Sequence, residues 1–301
     1  MNNGAYTIDE YSLLRALIES SEDRIPICFC IDVSESMEIL TNRPEDYTLT
    51  NETYTRDGVS QRTVNMKPGK VAHRRIDELK RVLSDMIYRM QSSAIIRDSA
   101  IIYIITFSKF ADALMGPSTC DSIDSYDIKN IIKIGSDNTN SASGITLALE
   151  KLDFISNSVK EAGILSYSPV LVFMSDGSPT DGQNAQNAGK ELYKRTQNKE
   201  LNVIPVAIGD DLDLHWMRSL TNDSKVYKMK FEDEFDEVFK VITKRIVNTT
   251  VAMVMDADLV DVECNENGEE LEKDKNISSS KYGTEPTQND VFDFFTAGIQ
   301  S

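Results

Sequence analysis

The chain has 301 residues, 40% of them hydrophobic, and a formal charge of −17. That length holds one large or two smaller domains with a substantial core. The acidic balance excludes the basic face on which nucleic-acid binding depends.

The charge is unevenly spread. Residues 251–301 carry 12 acidic side chains against 3 lysines, a balance of −9, whereas residues 41–75 hold 7 Lys/Arg against 4 Asp/Glu, a balance of +3. Apolar runs stay well short of a membrane span; the longest is Ala100–Phe107. Met1 to Glu10 is polar, unlike the basic-then-apolar start of a secretory leader. The expectation is a cytoplasmic protein without membrane contact, and four cysteines suit that compartment. Cys28 and Cys30 stand two apart, hence on one side of a strand, and read as buried hydrophobes. Cys120 and Cys264 add no metal-ligand spacing, and His73 and His215 are isolated.

In chain order, the apolar run at 26–32 predicts a strand covered on both faces. Residues 41–75 then intervene, with a hairpin expected around Asp57-Gly58 between Thr53–Arg56 and Val59–Val64. Ile76, Leu79, Leu83, Met86, Ile87 and Met90 recur at helical spacing and predict a helix over 76–91. A strand at 100–108 and an antiparallel edge strand at 111–115 follow. Next come a helix at 141–157, a strand at 169–175, a helix at 183–199 and a strand at 201–208. A short helix at 213–221, a short strand at 225–229 and a helix at 232–248 complete the series. The alternation implies an α/β fold: a Rossmann-like, doubly wound, mostly parallel sheet between helices, with one antiparallel edge strand. Ligands gather beyond the strand C-termini in such sheets, and Asp32 and Asp176 both fall there. The folded domain is expected over 1–249. The tail, 250–301, is acidic and poor in aromatics over Cys264–Asp290, which favours disorder. It ends in Val291-Phe-Asp-Phe-Phe295, which either docks on a partner or folds back. The stretch Thr250–Val262 could add a short strand.

Three segments carry the chemistry. Asp32, Ser34 and Ser36 form a DxSxS run that offers three oxygens at alternate positions with little negative charge. Such a set suits a hard divalent cation but leaves it short of ligands. The second segment is Thr139-Asn140-Ser141-Ala142-Ser143-Gly144-Ile145, and the third is Ser175-Asp176-Gly177-Ser178-Pro179-Thr180-Asp181. Ser, Thr and Asp also favour caps and turns, so each residue alone has an ordinary structural explanation.

Together, in this order, the three segments resemble the metal-ion-dependent adhesion site of von Willebrand factor type A domains, over roughly residues 22 to 247. The SDGxPTD turn and the Val206-Ala-Ile-Gly209 strand look most like bacterial tellurium-resistance-type A domains. The resemblance implies that Ser34, Ser36 and Thr139 ligate Mg²⁺ (or Mn²⁺) directly, while Asp32 and Asp176 act mainly through water. A register with Ser141 in the place of Thr139 is also open, though the TN-xxx-G-I spacing favours Thr139. The resemblance further implies a non-enzymatic module that binds a partner's carboxylate, in a bacterial stress-response or defence system. A protein kinase or a metal-dependent protein phosphatase is the partner it suggests. The insertion at 41–75 departs from the family pattern, as does the tail.

The alternative class is a metal-dependent phosphohydrolase using Asp32 and Asp176, with Asp181 as a third acid around the cation. A haloacid-dehalogenase-type enzyme would want a second acid two residues after Asp32, where this chain has Ser34. An extracellular adhesin is disfavoured by the polar start and the lack of an anchor.

Overall fold

The computed structural model describes residues 8–18, 23–56, 59–136, 138–176, 179–209, 214–230 and, in part, 240–246. In chain order the first elements are α1 (Ile8–Ile18), β1 (Ile25–Asp32), β2 (Tyr47–Arg56), β3 (Val59–Met66), α2 (Arg75–Gln91), α3 (Ala94–Ser99) and β4 (Ala100–Phe107). They are followed by β5 (Ala111–Thr119), α4 (Ser125–Ile131), α5 (Ser141–Glu161), β6 (Val170–Ser175), α6 (Gln183–Gln197), β7 (Asn202–Ile208), α7 (Leu214–Arg218) and β8 (Tyr227–Met229).

Six strands form one sheet in the order β5-β4-β1-β6-β7-β8, parallel throughout except for the antiparallel edge pair β4–β5. This is the predicted α/β architecture. β1 is central because every one of its residues is buried, which only a strand with neighbours and covered faces permits. Its alternation sorts the core. Ile25, Ile27, Phe29 and Ile31 pack with Ile76, Leu79, Leu83 and Met86 of α2. Cys28 and Cys30 point the other way, among Ile145, Leu152 and Ile155 of α5 and Leu14 of α1. Burial pushes both thiols up from their ordinary range, so they behave as the small hydrophobes expected.

The helices carry their own stop and start signals. Asp77 and Glu78 stand in the first turn of α2 and Arg89 in its last, each matching the helix dipole. Asn140 caps α5 by accepting from the Ser143 N–H at 3.0 Å. α5 ends where Gly163 turns left-handed (φ 76°) and Ile164 N donates to Val159 O at 3.1 Å.

The insertion forms its own two-stranded sheet, β2 against β3. Arg56 faces Val59, which fits the expected two-residue connection; Asp57 and Gly58 lie outside the described residues, as do the side chains of Arg56 and Arg62. The neck is tied shut. Asn42 Nδ2 donates to Val71 O (3.0 Å), His73 N to Asn42 Oδ1 (2.7 Å) and Thr41 N to His73 O (2.8 Å).

Three helices were not expected: α1, α3 and α4. The 11 residues of α1 lack a pronounced apolar stripe, yet Leu14 and Ile18 are buried against the α5 side of the sheet. α3 and α4 span 6 and 7 residues, too short for a period to show. β5 also runs on to Thr119, past the predicted end. Most of the predicted helix at 232–248 and the whole tail, 250–301, lie outside the described residues. Among the described residues, no helix is long and apolar enough to cross a membrane.

Candidate metal centre

Asp32 is the last residue of β1 and Asp176 directly follows β6, its hydrogen-bonded neighbour, so the parallel sheet brings both acids to one edge. Asp32 is a fully buried strand residue, in keeping with the strand predicted over 26–32. Ser34 is equally buried, Thr139 and Asp176 nearly so, and Ser36 is half-buried. After β1 the chain turns sharply: Ser34 N donates to Asp32 Oδ1 at 2.8 Å. The turn leaves the hydroxyls of Ser34 and Ser36 3.0 Å apart. Alternation of two residues thus puts two oxygens side by side.

The loop before α5 is stitched over this edge. Gly135 N donates to Val33 O (2.7 Å), Glu35 N to Ser136 O (3.1 Å) and Asn140 N to Ser108 O (2.8 Å). Thr139 is bonded through its backbone on both sides: its N–H donates to Thr180 Oγ1 (3.0 Å), and Thr180 N donates back to Thr139 O (2.9 Å). These bonds hold the second and third segments together. Ser141, the rival position, is the first residue of α5; its Oγ is buried without a hydrogen-bond partner.

The electrostatics follow from the burial. Asp32 has its carboxyl pushed up to about 7, first by desolvation and then by the negative charge of Asp176; bonds from Ser34 and Ser175 only partly offset this. Two acids held close in a dry crevice are a strained arrangement that a bound cation relieves. The remaining donors are neutral hydroxyls, and among the described residues no cluster of three or more His, Cys, Asp or Glu side chains could hold a metal. The set therefore fits a hard, oxygen-seeking divalent ion such as Mg²⁺ or Mn²⁺.

Two contributors escaped the sequence reading, and a third has a different role from the one expected. Ser175 donates its hydroxyl to Asp32 Oδ2 at 2.7 Å, so β6 fixes the acid of β1. Arg75, at the start of α2, reaches Asp176 Oδ2 and the Ser36 carbonyl, both at 3.4 Å from Nη1. Asp181 was expected as a possible third acid around the cation. Instead its two oxygens accept from Ser141 N (3.2 Å) and Ala142 N (2.9 Å), which makes it an anchor for the N-terminus of α5. A Pro-Thr-Asp segment placed after a strand-end acid carries no period that would reveal such a partner 40 residues away.

Comparison with known proteins agrees with the fold. The von Willebrand factor type A domain family matches residues 68–244, more than half of the chain. The match begins within the insertion, just after its hairpin, and leaves out β1 with the Asp32–Ser36 loop, which the pairing of β1 with β4 and β6 restores to the same sheet. No curated protein matches the sequence significantly. Among solved structures, a D319A mutant of the PilB minor pilin from Streptococcus sanguinis aligns at 14% identity and TM-score 0.50, over 79% of this chain and 64% of that one. Manganese-loaded TRAP protein from Plasmodium vivax aligns at 12% identity and TM-score 0.45, over 71% of each chain. Proximal thread matrix protein 1 from the mussel byssus aligns at 12% identity and TM-score 0.45, over 74% of this chain; the chain spans 46% of that structure's length. The sheet order, the convergent loops and the matched range lead to one conclusion: the chain belongs to the von Willebrand factor type A domain family.

Proposed function

We propose that this protein is a non-enzymatic, metal-dependent interaction module that binds an acidic side chain of a protein partner. Ser34, Ser36 and Thr139 would hold Mg²⁺ or Mn²⁺ directly, and Asp32 and Asp176 would face it through water. When bound, the ion supplies an electrophilic point with room for one further oxygen, which a partner's carboxylate fills. The observation that carries this reading is the pair of buried acids, Asp32 and Asp176, set beneath the adjacent hydroxyls of Ser34 and Ser36 at one sheet edge. Neutral hydroxyl ligands leave most of the ion's charge uncancelled, which favours an anionic partner over a neutral one.

The phosphohydrolase alternative loses support from the same bonds. Both oxygens of Asp32 already accept hydrogen bonds, from Ser34 N and Ser175 Oγ, and the side chain is fully buried, a poor posture for a nucleophile. Asp181 is engaged by α5. The similarity of the SDGxPTD turn to tellurium-resistance-type A domains supports a cytoplasmic bacterial stress or defence role, with a kinase or a metal-dependent phosphatase as partner.

The test is calorimetric titration of Mg²⁺ and Mn²⁺ into the full chain, followed by capture of partners with Mg²⁺ and again with EDTA. Binding of one ion per chain and EDTA-sensitive capture are expected. Absence of ion binding at millimolar concentration overturns the reading, and turnover of generic phosphate esters would favour the hydrolase.

A further inference from the structure

Arg75 stands where the insertion ends and α2 begins, and its side chain runs into the site rather than into solvent. The residue is buried, and its Nη1 lies 3.4 Å from Asp176 Oδ2 and 3.4 Å from the carbonyl of Ser36. One guanidinium thus touches both the third segment and the first. Its bed is Gly209, at the end of the edge-side neighbour β7: a Cβ built there would collide with Arg75 Nη2 and Cζ. The Gly209 backbone, at φ 112°, is in a region that favours glycine, and its N–H is held by Met229 O at 2.7 Å. Backbone, glycine and salt bridge together build a slot for this cation. Its own N–H donates to Ile39 O at 3.0 Å, so the neck of the insertion and the crevice share one residue.

A divalent cation and a guanidinium on the same carboxylate repel each other. A fixed positive charge there weakens binding of a bare cation and strengthens binding of an anion that arrives after it. We propose that Arg75 is a specificity-determining residue of the site, a resident cation that lowers affinity for the metal alone and raises affinity for the metal together with a carboxylate. This rests on the metal-dependent reading above and deepens it. Asp176 is shared between two cations, which leaves it less able to cancel the charge of the ion. The incoming ligand completes that cancellation. The arrangement makes metal and partner binding mutually reinforcing, as thermodynamic linkage requires.

The experiment uses the full chain and the variants Arg75→Met, Arg75→Gln and Arg75→Lys. Mg²⁺ affinity is measured by calorimetry. Acetate affinity is measured on Mn²⁺-loaded protein by water-proton relaxation, with acetamide as the uncharged control. Melting without metal reports on the fold. Arg75→Met and Arg75→Gln should bind Mg²⁺ about tenfold more tightly and acetate about tenfold more weakly, the effect of a unit charge within a few ångströms. Arg75→Lys should keep both affinities close to those of the parent, and acetamide should distinguish none of the proteins. If Arg75 only braces Asp176, the neutral variants bind Mg²⁺ more weakly; that result overturns the proposal. So does acetate binding that is indifferent to the charge at 75. Arg75→Gln, which retains polar contacts, supplies the same comparison if Arg75→Met does not fold. A parent protein that binds no Mg²⁺ overturns the metal reading and this inference together. A parent that binds both ions, beside neutral variants that match it, overturns the inference alone.

Discussion

The hydroxyl of Ser175 donates to Asp32 Oδ2 at 2.7 Å, so the last residue of β6 orients the last residue of β1. The bond crosses between neighbouring parallel strands. It explains how an acid kept fully from solvent retains a defined geometry while its charge is opposed by Asp176.

Replacing Asp32 with Asn keeps the shape and removes the charge. The Asn Oδ1 still accepts from Ser34 N, and its amide still meets Ser175. Mg²⁺ affinity should fall at least tenfold, while melting without metal at pH 8 rises by several degrees. Calorimetry and a thermal scan check both, and unchanged affinity would remove Asp32 from the site. Thr139→Ala should likewise lose Mg²⁺ binding, because the backbone bonds to Thr180 hold the loop without the side chain.

The site should also respond to pH. The Asp32 carboxyl titrates at about 7 in the fold against 3.8 for an unhindered one, so the folded state holds its proton more tightly than the unfolded chain does. Its contribution to stability is therefore fully present below pH 3.8 and is lost as the pH rises to about 7. The loss in metal-free protein is on the order of 4 kcal/mol. Mg²⁺ competes with that proton, so its affinity should climb between pH 6 and 8 and binding should release a proton. Calorimetry in buffers of different ionisation enthalpy reads the proton directly. In Asp32→Asn this part of both trends should vanish.

Asp181→Ala removes the acceptor for Ser141 N and Ala142 N at the start of α5. A cost of about 1 kcal/mol is expected, as for a lost helix cap. Mg²⁺ affinity should weaken a few-fold through loosening of Thr139, without disappearing. Abolished binding would make Asp181 a ligand instead.

Gly144 lies under Phe107, where an added Cβ would stand 2.7 Å from Cδ1 of the ring. Phe107 stacks on Phe173 at a centroid distance of 5.4 Å, and Trp216 meets Phe173 edge-on at 5.8 Å, so the ring has little room to yield. Gly144→Ala should destabilise by about 1–3 kcal/mol in denaturant melts.

Excising residues 44–69 across a short Gly-Ser link leaves the Asn42–Val71 and Thr41–His73 bonds in place. Melting without metal and Mg²⁺ affinity should match the parent. If the +3 charge of residues 41–75 steers acidic partners, Arg56→Glu combined with Arg62→Glu, which turns it to −1, should slow association with an acidic peptide and weaken its salt dependence. Faster association after the excision, which removes three basic against four acidic residues, would show that the insertion covers the site.

The sequence by itself determined the order of the sheet strands, the helices α2, α5, α6 and α7 between them, and the residues that meet at the sheet edge. These are local properties. Continuous apolar runs mark strands buried on two faces, the spacing of Ile76 to Met90 marks one helix face, and acids at strand ends mark the crevice of a parallel sheet. Tertiary structure alone decided which groups press on those acids. Ser175 looks like an ordinary turn residue, Arg75 one basic residue among seven in its stretch, and Asp181 one more acid beside a metal loop. Their roles depend on neighbours 143, 101 and 40 residues away, brought within hydrogen-bond reach by strand register and helix packing. A linear pattern records which charges a chain owns, and only the folded distances say which of them oppose each other in a crevice closed to water.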